Sequence, residues 1–419
     1  MAILNLAWKS LVNRRFVALL TIGSIALSVM LLIGVERLRS EARNGFANTI
    51  SGTDLIVGAR SGSIQLLLYS VFRIGNASNN ISWESYQDII QNRAVEWSVP
   101  ISLGDSHRGF RVMGTNHDYF RHYKYARKRN LEFAEGKPFE DLYDAVLGAE
   151  VARKLGYGLG DPIVIAHGAG KVSFMDHSDK PFTVVGILAP TGTPVDQTVH
   201  ISLEGIEAIH VDWQSGAPVS GVSISADSAR EMDLSPKVVT AFLLGLKSKT
   251  RIFKMQRYIN EYRQEPLLAI IPGVALAELW GVMNMAEQVL RLVSVLVVLV
   301  GLSCMLVALL TSLSERRREM AVLRSVGAHK KHIFALMVTE AFTLTLVGIT
   351  IGLSFLYALM GVMQKVIQER LGVHIDLSLP TSHEMTLLAI VLLAGALIGC
   401  IPAYRAYKNS LADGLTIRV

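Results

Sequence analysis

Cysteine is scarce in this chain of 419 residues: Cys304 and Cys400 are the only two, and both lie in apolar runs. That excludes a disulfide framework, and without a C-x-x-C pair there is no thiolate metal or dithiol redox motif. No G-x-x-x-x-G-K-[ST] loop occurs, so a phosphate cradle of that type is missing. Gly156-x-Gly158-x-Gly160 leads into Asp161-Pro162, and Gly168-x-Gly170-Lys171 has no Ser or Thr directly after it. Both read as turns. H-E-x-x-H, H-x-x-x-H and any evident nucleophile–base constellation are also missing, which leaves no catalytic motif. Charged residues make up only 18%.

Apolar residues take their place, at 51% and gathered into long runs. A hydrocarbon core of about 30 Å needs roughly 20 apolar residues per helical span. Four runs qualify: 16–35, 288–313, 333–363 and 385–403. The first is too long for a signal-peptide core and has no small-x-small cleavage site before the charged Glu36 to Arg43 stretch, so it reads as an anchor. Residues 1–15, with Ile3, Leu6, Ala7, Ser10 and Leu11 at helical spacing, predict an amphipathic helix on the membrane surface. Residues 36–287 turn globular, with ISWESYQDI, FTVVGILAP and TVHISLE reading as short strands and helices. The fold class predicted is an integral membrane α-helical protein, with four transmembrane helices and a large α+β extracytoplasmic domain.

Orientation follows from cationic residues. Lys9, Arg14, Arg15, Arg316 to Arg318, Arg324, Lys330 and Lys331 flank spans, and positive loops stay cytoplasmic. Both termini, the loop 314–332 and the tail 404–419 are then cytoplasmic, while 36–287 and the loop 364–384 are outside. The net charge of +6 is accounted for by this topology rather than by a nucleic-acid partner.

The loop Glu315 to Phe334 invites two readings: obedience to the positive-inside rule alone, or a docking element whose apolar face is Met320, Leu323, Val326 and Ile333. Gly348 with Gly352, and Gly395 with Gly399, carry small-xxx-small spacing that permits close helix approach, within one chain or between two. Glu340 is the one acidic residue placed within the third span, where snorkelling or packing outweighs a transport role. The apolar stretch within Asp54 to Asn80 reads as a core element or as a lateral gate for hydrophobic cargo. Seven of the eleven histidines, His107, His117, His122, His167, His177, His200 and His210, fall in the globular segment with Asp118, Asp176, Asp179 and Asp196. Their spacing shows no convergent ligand set, so surface histidines and no metal site are expected.

Three stretches resemble the MacB/FtsX-type permeases of ABC transporters. Glu315-Arg-Arg-Arg-Glu319 through Leu323-Arg324-Ser-Val-Gly327-Ala328 is similar to the family's "RRREIGILRAIGA" segment. Gly399 through Pro402-Ala403 and Arg405-Ala406, with Leu411 and Leu415, resembles its "G…PAxxA…L" ending. Gly136-Lys-Pro-Phe139, Ala145-Val-Leu-Gly148, Val151-Ala, Leu155-Gly156, Gly160-Asp161 and Phe182-Thr-Val-Val-Gly186 resemble its periplasmic core domain. The resemblance implies a dimer with itself or a sister permease, in a bacterial inner membrane and in contact with its lipids. It implies a separate cytoplasmic ATPase that binds the ATP, this chain holding no cofactor. It assigns coupling to Arg316, Arg317, Arg318, Glu319, Leu323, Arg324 and Gly327, while the small-xxx-small spacing gives helix packing to Gly348, Gly352, Gly395 and Gly399. The expected function is mechanotransmission that exports or extracts a hydrophobic, peptide or lipoprotein substrate, with a periplasmic adaptor or binding protein as a further partner. The alternatives are regulation of a periplasmic partner and a permease linked to zinc uptake or homeostasis. The domain size places it nearer the MacB and lipoprotein-releasing branches than the cell-division branch.

Overall fold

The computed structural model describes residues 15–126, 128–168, 177–214, 217–218, 224–315, 317–371 and 378–408. The surface helix expected over 1–15 thus lies, but for Arg15, outside the described residues, as do Arg316, Leu411 and Leu415. The chain divides into two compact units: Met1–Glu41, Asn284–Val366 and Ile375–Val419 form one, and Ala42–Met283 with Ile367–His374 the other.

Four helices are long and apolar enough to cross a membrane, and the first unit holds the greater part of each. They are Arg15–Thr49, Pro272–Glu315, Lys330–Leu371 and Ser382–Lys408. Each runs beyond the span expected from hydropathy. The second, at 44 residues, is about 66 Å long at 1.5 Å per residue, twice the lipid core. Hydropathy marks the part of a helix that lipid contacts, whereas backbone hydrogen bonding continues until a cap or a turn ends it. At the fourth helix the start is a capping box. Thr381 Oγ1 accepts from the Glu384 amide at 3.3 Å, and Glu384 Oε2 accepts from the Thr381 amide at 2.7 Å.

The four helices share one apolar core, with Ile25, Val29 and Ile33 from the first, Leu302, Met305 and Leu309 from the second, Ala341 and Leu344 from the third, and Leu388 and Val391 from the fourth. Leu292, Leu296, Leu299 and Val300 face outward, as acyl chains require. Ser28 Oγ donates to the Val297 carbonyl at 3.0 Å, one polar tie between the first two helices.

The second unit is built on a mixed sheet. Its main strands are β1 Leu55–Ala59, β2 Val95–His107, β3 Phe110–Thr115, β4 Phe133–Gly136, β5 Asp144–Leu147, β6 Phe182–Leu188, β7 Thr198–Ser202, β8 Ala241–Leu246 and β9 Leu267–Ile270. Their spatial order is β9-β1-β8-β2-β3-β7-β5-β6-β4, and the short strands Ala166–His167 and Pro162–Ile163 pair with β2 and β6. Only β3 with β7 and β5 with β6 run parallel. Strand β1 is buried on both faces. Ile56 packs with Leu66, Leu67 and Val99, while Leu55 and Val57 pack with Tyr86, Met255 and Ile259. The helix Ser63–Ser70 therefore belongs to the core, with Leu66, Leu67 and Tyr69 all buried, and the lateral-gate reading of Asp54 to Asn80 is withdrawn. Across the other half of the sheet, Val112, Leu147, Val184 and Ile201 pack under the helices Ala149–Leu155 and Leu203–His210. Gly156 caps the first of these in a left-handed conformation (φ 71°), so its glycine run is a turn.

Candidate functional site

The segment between the second and third spanning helices folds as a short helix, Arg317–Ser325, which carries Arg317, Arg318, Glu319, Leu323 and Arg324. Gly327 ends it, at φ 103°, a conformation that an L side chain resists. The turn divides the apolar face expected from spacing. Met320 and Ile333 are buried with Leu313, Met337, Ala403 and Ala406, anchoring the segment on the ends of the spanning helices. Val326 points the other way at 83% exposure, as does Val322, one turn earlier, at 52%. An anchored inner side and an apolar outer ridge, with Arg324 between its two valines in the chain, is an arrangement suited to docking. Lys330 lies over the Tyr407 ring at 5.3 Å, a further tie to the fourth helix.

The four glycines singled out by spacing all face neighbouring helices of the same chain. A Cβ at Gly352 would come within 2.5 Å of the Ala26 carbonyl oxygen, and one at Gly348 within 2.7 Å of Ile25. Gly395 meets Thr345 and Gly399 meets Ala341. Glu340 is buried within the bundle rather than snorkelling to its edge.

At the other end of the bundle is a polar network that hydropathy did not reveal. Arg37 Nε donates to Glu384 Oε1 at 3.0 Å, and its Nη2 donates to the Tyr357 hydroxyl at 2.7 Å and to the Ser378 carbonyl at 2.6 Å. Glu36 accepts from Arg39 at 2.5 Å and lies 3.3 Å from His383 Nε2 and 3.8 Å from Arg291, while Arg39 reaches Glu287 at 3.4 Å. These contacts join all four helices. Charges just beyond an apolar run were the available signal, but they read as a boundary.

The histidines of the globular unit separate into different environments. His200 is fully buried beside Tyr119 and Phe120, and burial lowers its pKa to about 3. His122 stacks on Trp97, and His117 packs against Phe139. His167, His177 and His210 instead converge with Asp105, their ligand atoms all within 4.8 Å of one another. Spacings of 10 and 33 residues concealed this. Burial, followed by the charge of His210, lowers the His177 pKa to about 4, while the hydrogen bond that His167 donates to the Asp105 carboxylate raises its own.

A family model for the FtsX-like permease C-terminal region matches residues 291–411, and one for the MacB-like periplasmic core domain matches residues 18–238. No curated protein sequence matches the chain. Among solved structures, the periplasmic region of MacB from Actinobacillus actinomycetemcomitans is similar at 8% identity and a TM-score of 0.33, covering 55% of this chain and 94% of that one. The extracellular domain of the noncanonic ABC-type transporter YknZ from Gram-positive bacteria is similar at 12% identity and a TM-score of 0.31, covering 52% and 99%. The core-domain match alone takes in more than half of the sequence, and the chain belongs to the MacB/FtsX-type ABC transporter permeases.

Proposed function

We propose that this permease is driven by a separate cytoplasmic ATPase docking on the helix Arg317–Ser325, and that ATP-driven movement passes through the spanning helices to the extracytoplasmic domain. The observation that carries the reading is the two-sided segment. Met320 fixes it to the bundle, while Val322 and Val326 stay exposed. An apolar ridge of this kind fills a groove on a partner, and the neighbouring arginines set its register. The helix Pro272–Glu315 begins one residue after β9 and continues through the second span, which supports a mechanical relay.

The stroke acts on cargo outside the membrane rather than through a pore. The bundle core is largely apolar, with Glu340, placed toward the cytoplasmic end of the third helix, the buried acidic residue inside the expected spans among the described residues, whereas an ion pathway lines membrane depth with a chain of ionisable groups. The cargo class is a hydrophobic molecule, a peptide or a lipoprotein. The permease works as a dimer, with itself or a sister subunit, in a bacterial inner membrane. The test is ATP hydrolysis by the permease and its co-purifying ATPase in lipid nanodiscs, with lipids, peptides and lipoproteins titrated separately. Stimulation by one class supports transport and names the cargo. A flat response, with an extracytoplasmic protein co-purifying, replaces transport by regulation of that partner.

A further inference from the structure

We propose that Asp105, His167, His177 and His210 form a closed binding site for a divalent transition-metal ion, with zinc the best fit, in the extracytoplasmic domain. The inference does not depend on how the permease is driven.

The geometry is near that of a filled site. Zinc bound to nitrogen or oxygen at 2.0–2.1 Å in a tetrahedron places its donors about 3.3 Å apart. Here His167 Nδ1 lies 3.1 Å from Asp105 Oδ1 and 3.2 Å from His210 Nε2, and His210 Nε2 lies 3.6 Å from Asp105 Oδ1. His177 completes the set within 4.8 Å. Its Nε2 is buried with no hydrogen-bond partner among the described residues.

Each donor is held by the fold. Between Leu103 and Ser106 the β2–β3 register slips, so that Gly104 and Asp105 together oppose Val112. Such a bulge re-aims a side chain. His167 sits directly across from Asp105 on its own short strand. His210 occupies the last turn of the helix Leu203–His210, where its Nδ1–H donates to the Ile206 carbonyl at 2.8 Å. That bond leaves the Nε2 lone pair facing the cluster, the outer-shell arrangement usual for a ligating histidine. The segments bearing His177 and His210 are tied by Lys180, fully buried, whose Nζ donates to both carboxylate oxygens of Asp212 at 3.0 Å. Trp213 walls the site, its ring centroid 4.6 Å from that of His177 and 5.3 Å from that of His167.

A hydrogen-bonded histidine cluster without metal explains less. It accounts for His167 on Asp105 but leaves His177 Nε2 unmet. It also leaves the buried Asp105 with histidines as its only ion-pair partners among the described residues. A divalent cation satisfies both. Three imidazoles and one carboxylate suit zinc, copper or nickel, and disfavour magnesium and calcium, which take oxygen donors. Four protein ligands leave no open position, so the ion clips β2, the Ala166–His167 strand and the Leu203–His210 helix together without reaction chemistry.

The test uses tag-free, full-length protein in detergent, stripped with a chelator and titrated with zinc against a chromophoric competitor. The expected result is one zinc per chain, a raised melting temperature, and no response to magnesium or calcium. His177→Gln and, separately, Asp105→Asn should each weaken zinc binding by more than about 100-fold, beyond what loss of an outer-shell partner costs. His117→Ala should bind as the unaltered protein does. Size-exclusion profiles and circular dichroism establish that each variant is folded. Absence of zinc binding by the unaltered protein, or unchanged affinity in both folded ligand variants, overturns the site.

Discussion

Arg37 and Glu384 meet at 3.0 Å on the first and fourth spanning helices, both at 5% exposure or less. Removing one member of such a pair leaves a buried charge, at a cost of about 3–5 kcal/mol, whereas replacing both with apolar groups is often neutral. Arg37→Met or Glu384→Leu alone should therefore lower the melting temperature of the purified protein sharply, and the double variant should recover most of it. A double variant no better than either single change would show that the pair does not act as a unit.

Gly352 faces the Ala26 backbone, while a Cβ at Gly361 would meet nothing within 4 Å. Gly352→Leu should cost about 1–3 kcal/mol through overpacking, read as a lower melting temperature. Gly361→Leu should leave the melting temperature unchanged. Equal behaviour of the two would contradict the helix contact.

The two sides of the segment Arg317–Ser325 should separate stability from the proposed docking. Met320→Ala empties a buried position and should destabilise by about 2–5 kcal/mol. Val326→Glu changes an exposed side chain and should stay within about 0.5 kcal/mol, yet weaken ATPase association. A Val326→Glu protein that melts early would place this residue in the fold instead.

His200 gives a pH dependence. Its folded-state pKa of about 3 lies below its ordinary 6.5, so between these values the unfolded chain binds a proton that the folded chain does not. The His200 contribution to stability should thus fall as pH drops below 6.5, by about 1.4 kcal/mol per pH unit. His200→Leu should flatten the acid limb of a melting-temperature profile relative to the unaltered protein. Parallel profiles from pH 7 to 4.5 would count against a buried neutral imidazole.

The spans were legible in hydropathy because lipid imposes a length and a composition. Their ends were not, since Thr49 and Pro272 lie well outside the apolar runs, and it is the core of the globular unit, which buries Ala275 and Leu276, that holds the second helix together there. The single apolar face expected over Met320 to Ile333 fails for a related reason. Helical periodicity was extended from Met320 to Ile333 across Gly327, where the backbone turns. The convergence of Asp105, His167, His177 and His210 depends on the pairing of His167 with Asp105 and on a helix that ends at His210. Both are tertiary facts that spacing along the chain does not encode. The Arg37 to Glu384 pair, 347 positions apart, was hidden in the same way.

Docking of an ATPase on the outer ridge of the segment is tested most directly by a photo-crosslinking residue at position 326 in membranes that also hold the ATPase. The account predicts a covalent adduct with the ATPase subunit from position 326, and none from position 285, an exposed site on the second helix. Adducts from 326 with lipid alone, at full ATPase activity of the complex, would contradict it.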